Sequence, residues 1–216
     1  MPDQTQHRIR DEKVAKGGSP LGRSGTVLLL VDFINPLDFE GAEQLARAAA
    51  AAGKAAARLK ADARRRGIKA IYANDNYGLW QSDFTSVWRH CKDLGGAASD
   101  LASDLRPEPD DLTVLKPRHS AFYCTPLELL LQQLRCRRIV VTGLATDSCV
   151  LFTAMDAYLR GYEVWVPADC AAAESTRVHR ASLRQMQRLT AVTGHYAGDL
   201  NRVIALRQAL AAEQRR

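Results

Sequence analysis

The stretch Thr26-Val27-Leu28-Leu29-Leu30-Val31-Asp32-Phe33 decides the fold. From Val27 to Val31 every side chain is a branched aliphatic one. A half-exposed strand or an amphipathic helix would place a polar residue within so short a run; this one has none. It reads as a strand buried on both faces, and sheets of that kind are mostly parallel, with helices covering each side. The flanking sequence repeats the alternation. Residues 41–66 are alanine-rich with Arg and Lys interspersed, a long helix closed by Gly67. Residues 68–73 form a second strand, and residues 74–91 a polar, aromatic stretch that is at most partly helical. A third strand follows at 112–115, then a helix over 125–135 with Pro126 in its first turn. Residues 138–142 are a fourth strand, 147–160 a helix ended by Gly161, 162–166 a fifth strand and 174–189 a helix. A short sixth strand starts at 191–192, and 199–214 is a closing helix. The pattern predicts one α/β domain over residues 25–216, a three-layer α/β/α sandwich around a central, mainly parallel six-stranded, Rossmann-like sheet. Residues 1–24 are polar and aperiodic, with Gly-Gly-Ser-Pro and Gly-Arg-Ser-Gly near their end, and are expected to be a flexible N-terminal arm.

At 216 residues, 46% hydrophobic and 25% charged, the chain has the balance of an ordinary globular protein. Disordered, collagen-like and disulfide-stapled classes are excluded. The apolar run stops at Asp32, far short of the ~20 residues that span a bilayer. No charged-then-apolar leader opens the sequence, so the cytoplasm is the expected location, with no membrane partner. The five cysteines, Cys91, Cys124, Cys136, Cys149 and Cys170, include no Cys-x-x-Cys pair and are expected to be free thiols, most of them packed. The net charge of +6 is spread over several helices without interleaved aromatics, which gives no reason to expect specific nucleic-acid binding.

In a parallel sheet ligands sit beyond the carboxyl ends of the strands. There the sequence places Asp32 after strand one, Asn74 and Asp75 after strand two, Lys116 after strand three, and Gly143-Leu144-Ala145-Thr146-Asp147-Ser148-Cys149 after strand four. Each has a plain structural explanation: Asp caps loops, a lone Lys is usually solvated, and a Cys early in a helix is usually packed. Together they make a chemistry. A thiol with an ordinary pKa near ~8.5 is mostly protonated at neutral pH. A helix N-terminus and an ammonium favour its thiolate unless desolvation opposes them. A carboxylate can take the thiol proton and pass it to a leaving group.

On these residues the chain resembles the isochorismatase-like cysteine hydrolases, a superfamily with nicotinamidases, N-carbamoylsarcosine amidases and ureidoacrylate amidohydrolases. The resemblance rests on Leu28-Leu29-Leu30-Val31-Asp32-Phe33, on Lys116-Pro117-Arg118-His119-Ser120-Ala121-Phe122, and on Gly143-Leu144-Ala145-Thr146-Asp147-Ser148-Cys149-Val150. It implies Asp32 as general acid/base, Lys116 as its positive neighbour and Cys149 as nucleophile. It further implies an oxyanion hole from the N–H groups of Ala145 and Cys149, and a cis Leu144–Ala145 peptide. Two departures stand out. Nicotinamidases carry an Asp-x-His…His metal site after strand two, whereas here no histidine follows until His90, so no metal or other cofactor is expected. The Gln that usually follows the first Asp by two residues is Ile34, and Asn35 is expected to take over part of its role.

Asn74, Asp75, Tyr77, Trp80 and Phe84 are expected to form the substrate wall, an aromatic-lined pocket with a few polar anchors. Arg118, His119 and Ser120 border Lys116, with substrate contact as the alternative to the structural role expected of each; His179 and His195 read as ordinary helix and loop residues, and Cys124 and Cys170 as packed. The expected function is metal-independent hydrolysis of a C–N bond in a small amide, carbamoyl or ureido compound, with water as second substrate, in a homo-oligomer (dimer or tetramer). The alternatives are vinyl-ether hydrolysis, which similar proteins perform without the cysteine, and a catalytically silent small-molecule-binding protein.

Overall fold

The structure, a computed structural model, describes residues 21–78, 80–189 and 192–194. β1 (Thr26–Val31) lies at the centre of the sheet, between β2 (Lys69–Asp75) and β4 (Arg138–Leu144). β3 (Leu112–Lys116) pairs outside β2, β5 (Glu163–Pro167) outside β4, and β7 (Val192–Gly194) outside β5. Beyond β5 a tight 3₁₀ turn, Ala168–Cys170, leads into β6 (Ala171–Ala172), which pairs with the carboxyl end of β4. The order β3-β2-β1-β4-β5-β7 is the six-strand parallel sheet the sequence predicts, and β6 is a two-residue addition to it.

Alternation along β1 explains the layers. Leu28 and Leu30 point to one face, into a core with α1 (Ala42–Arg65), α2 (Phe84–Asp93) and α3 (Gly96–Asp104). Val27, Leu29 and Val31 point to the other, into a core with α4 (Leu127–Gln133), α5 (Leu151–Leu159) and α6 (Thr176–Leu189). The alanine stripe of α1 lets that helix lie close to its neighbours. A Cβ on Gly53 would sit 2.6 Å from a Leu101 methyl, so α3 packs directly against a glycine. Lys60 of α1 is buried in a satisfied polar cluster, paired with Asp111 at 2.5 Å and donating to the Tyr72 hydroxyl and the Arg106 carbonyl.

Four local features differ from expectation. The 74–91 stretch contains a regular helix, α2, because Asp83 caps it by accepting from Ser86 N and Phe84, Val87 and Cys91 give it a buried stripe. The α3 helix has no counterpart among the expected elements, since its Gly-Gly start and small polar residues carry no strong period. The 147–160 helix opens as a π-helical turn at Thr146–Val150 before α5 begins. Ser24 does not belong to a free arm: it is buried, donates its N–H to the Leu134 carbonyl and accepts from Lys69 N. The rest of the expected arm up to residue 20, the 199–214 helix and His195 lie outside the described residues.

The two central strands meet the site at Gly143, whose φ of 138° is closed to other residues and whose absent Cβ would lie 2.0 Å from the Val31 carbonyl oxygen. Gly143→Ala is expected to cost about 3 kcal/mol in urea unfolding by forcing β1 and β4 apart. Gly161→Ala, at an open helix end with φ 82°, should cost only ~1 kcal/mol. Equal losses at the two positions would show that the strands have slack at the site.

Candidate active site

The sheet brings Asp32, Lys116 and Cys149 together at its carboxyl edge, beside the point where the strand order turns from β1 to β4. Asp32 follows β1 with φ 48°, a left-handed conformation that Asp tolerates better than most residues, and its N–H donates to the Ala73 carbonyl. Lys116 ends β3 directly beside Asp75 in the strand register. Its side chain is fully buried, and Nζ lies 2.6 Å from Asp32 Oδ2, 3.5 Å from Cys149 Sγ and 3.9 Å from Asp75 Oδ2. A lone lysine at a strand end is ordinarily solvated; here two carboxylates and the Arg118 carbonyl, at 3.1 Å, replace the water. Asp32 Oδ1 accepts the Asp75 N–H at 2.7 Å, so the carboxylate is fixed through both oxygens.

Cys149 lies in the π-helical turn, a helix defect often found at functional sites. The preceding Leu144–Ala145 peptide is cis, as the resemblance implies. α5, which continues this turn, also holds the loop after Lys116. Thr153 Oγ1 accepts from Ala121 N, Asp156 accepts from the Ser120 hydroxyl, and Phe152 stacks on the His119 ring with centroids 5.6 Å apart. Ser120 is therefore structural, as expected.

The electrostatics decide the balance between desolvation and the groups that favour the thiolate. Burial raises the Asp32 carboxyl above its ordinary value even against the nearby Lys116 ammonium. Burial and the Asp32 charge together push the Cys149 thiol up to about 12, and Lys116 offsets only part of this. Desolvation outweighs the factors favouring the thiolate, so the thiol is held neutral. Burial alone would lower Lys116, but the charges of Asp32 and Asp75 raise it, and it stays a cation.

The other sequence candidates are distributed unevenly. Asp75 faces the lysine and is more than a third exposed, and Tyr77 donates its hydroxyl to the Ile34 carbonyl at 3.0 Å. Asn74 is completely buried, its amide donating to the same carbonyl and its Oδ1 without a partner among the described residues. Phe84 belongs to the core, its ring 5.1 Å from that of Tyr72, and Trp80 is 80% exposed. Asn35 is occupied within its own loop, accepting from Leu37 N. Cys170 is buried as expected, whereas Cys124, in a left-handed conformation at φ 52°, is exposed. His179, expected to be structural, bonds Thr146 of the cysteine turn at 2.8 Å. His119, also expected to be structural, has its Nδ1 3.6 Å from Cys149 Sγ and 3.2 Å from Ser148 Oγ. The only sequence signal for that position is its place three residues after Lys116.

The segment after β2 does not suit a metal. Asp75 Oδ1 accepts from Tyr77 N and Asn76 Oδ1 from Gly78 N, so both side chains cap their own loop. Among the described residues no group of three or more His, Cys, Asp or Glu is placed to hold an ion. Nor is any described helix long and apolar enough to cross a membrane.

A thiol raised to about 12 fixes the sign of its pH dependence. At pH 8 Cys149 should react with iodoacetamide at least about tenfold more slowly than free cysteine, with the rate still climbing above pH 10. Lys116→Ala should slow it further. Rapid labelling of Cys149 alone at pH 6 would show a thiolate already present and overturn the neutral-thiol assignment.

Comparison with known proteins agrees with this architecture. The isochorismatase domain model matches residues 26–196. The uncharacterised isochorismatase family protein YaaI of Bacillus subtilis (strain 168) is 38% identical over 167 residues, covering 77% of this chain and 91% of that protein. A shorter segment of 69 residues is 46% identical to the ureidoacrylate amidohydrolase RutB of Methylorubrum extorquens, 32% of this chain and 28% of that protein. The crystal structure of the nicotinamidase SaPncA from Staphylococcus aureus superposes with a TM-score of 0.62 at 22% identity, covering 81% of this chain and 99% of that one. At that identity the likeness concerns the fold. With the domain model spanning the sheet from β1 onward and both central strand ends in place, the chain belongs to the isochorismatase family.

Proposed function

We propose that the protein is a cysteine hydrolase that cleaves a C–N bond in a small amide, carbamoyl or ureido compound, without a metal, through a thioester. The observation that carries this reading is the convergence of Asp32, Lys116 and Cys149, with Lys116 Nζ within 2.6 Å of the carboxylate and 3.5 Å of the sulfur. The similarity to a ureidoacrylate amidohydrolase supports the substrate class.

In this reading Asp32 takes the thiol proton as Sγ attacks the substrate carbonyl carbon. Its upward-shifted carboxyl is a stronger base than a solvated aspartate, and transfer at the moment of attack avoids an isolated buried thiolate. The N–H groups of Ala145 and Cys149 receive the oxyanion. Asp32 then passes the proton to the leaving nitrogen, and ammonia or an amine departs. Water attacks the thioester carbon, giving one proton to Asp32. The carbon–sulfur bond breaks, Sγ recovers that proton, and the acid product leaves. Lys116 holds Asp32 in place and keeps the site's negative charge in check. Asp75 and Tyr77 are the polar groups at the rim able to meet N–H and carbonyl groups of the substrate, whereas the packing of Phe84 gives it no part in the wall.

Screening small ureides, carbamoyl compounds and primary amides for ammonia release should find turnover that a metal chelator leaves unchanged. Cys149→Ala should lower kcat/KM by roughly a thousandfold or more while the chain remains folded. Mass spectrometry of quenched reactions should show an acyl adduct on Cys149. Full turnover in Cys149→Ala would sink the thioester route and favour a reaction run by Asp32 and Lys116 alone.

A further inference from the structure

The sulfur of Cys149 has a second basic neighbour that the mechanism above does not use. Lys116 reaches it from the buried side. His119, exposed to solvent, directs Nδ1 at Sγ from 3.6 Å and at Ser148 Oγ from 3.2 Å. The ring is not loose: it lies against Phe152 at an interplanar angle of 23°, on the helix that grows out of the cysteine turn. Its orientation is thus set by the same element that sets the cysteine.

We infer that His119 is a further catalytic residue, whose imidazolium form donates Nδ1–H to the Cys149 sulfur from the solvent side and stabilises its negative charge. No bond is made or broken in this role. When Asp32 takes the thiol proton, and again when the thioester carbon–sulfur bond breaks, the sulfur carries negative charge. A buried ammonium and an exposed imidazolium then flank it. An imidazole holds its proton less tightly than an alkylammonium, so this support is lost on raising the pH while that of Lys116 persists. The groups facing the ring are Cys149 and Ser148 from the turn and Phe152 from α5. The charges nearest in the site are Lys116, itself bonded to the sulfur, with Asp32 and Asp75 beyond it, and Arg118 and Asp147 are close in sequence on the same two loops.

The inference rests on Cys149 being the nucleophile, and its test needs no substrate, so it fails separately from that reading. The full chain is treated with methyl methanethiosulfonate, small and uncharged, and modification of Cys149 is followed by mass spectrometry from pH 5.5 to 8.5. Two variants are compared with the unaltered protein: His119→Phe, which keeps the stack on Phe152, and His119→Gln, which keeps a hydrogen-bonding group but cannot be protonated. At pH 5.5 both should react about fivefold or more slowly relative to the unaltered chain, and at pH 8.5 all three should agree within about twofold. A constant ratio across the pH range would mean that His119 only shapes the site, and would overturn the inference. So would His119→Gln matching the unaltered chain at pH 5.5, since hydrogen bonding without charge would then suffice. Hydrolysis of the amide panel by the unaltered chain reports separately on the thioester reading.

Discussion

The ion pair between Asp32 and Lys116 is the constraint to which the rest of the site conforms. Both side chains are nearly or wholly shielded from water, and a buried pair recovers its desolvation cost only with good geometry and with its remaining hydrogen-bonding capacity used. That requirement reaches far into the sheet. The Asp75 N–H must meet Asp32, which sets the level of β2 against β1; the Arg118 carbonyl must meet Nζ, which sets the turn after β3. A pair of aliphatic side chains would fill this volume at lower cost. Its presence beside a thiol is therefore better explained by chemistry than by stability.

The same burial decides what kind of nucleophile Cys149 is. In an open, electropositive site a cysteine rests as a thiolate, available to any electrophile. Here the neighbouring carboxylate and the loss of water keep the proton on sulfur, and the base that can remove it stands beside it with its own affinity for protons raised. Reactivity is thus coupled to the arrival of a carbon that the sulfur can attack.

Much of this was legible in the chain, because strand ends are marked by abrupt changes of residue type. Asp32 after five aliphatic residues, Lys116 after Leu112-Thr113-Val114-Leu115, and Gly67 and Gly161 as helix stops all fall where the structure has them. What escaped depends on contacts distant in sequence or on weak patterns. The α3 helix has a small-residue composition that loops share, and β6 is too short to carry an alternation. Phe84 is an aromatic in a polar stretch, and nothing local shows that its ring meets Tyr72. Whether the thiol would be helped or hindered depended on a balance of burial and charge that residue types alone do not supply. His119 approaches the sulfur only because α5 folds back under the loop that carries it.

That folding back has a consequence for how the protein comes apart. The turn bearing Cys149 runs into α5, and Phe152, Thr153 and Asp156 of this helix grip His119, Ala121 and Ser120 on the strand-three loop. Local opening proceeds in contiguous cooperative units, and these contacts join the turn of the nucleophile to the loop after Lys116. Amide exchange in α5 and in residues 118–122 is therefore expected to share one opening event.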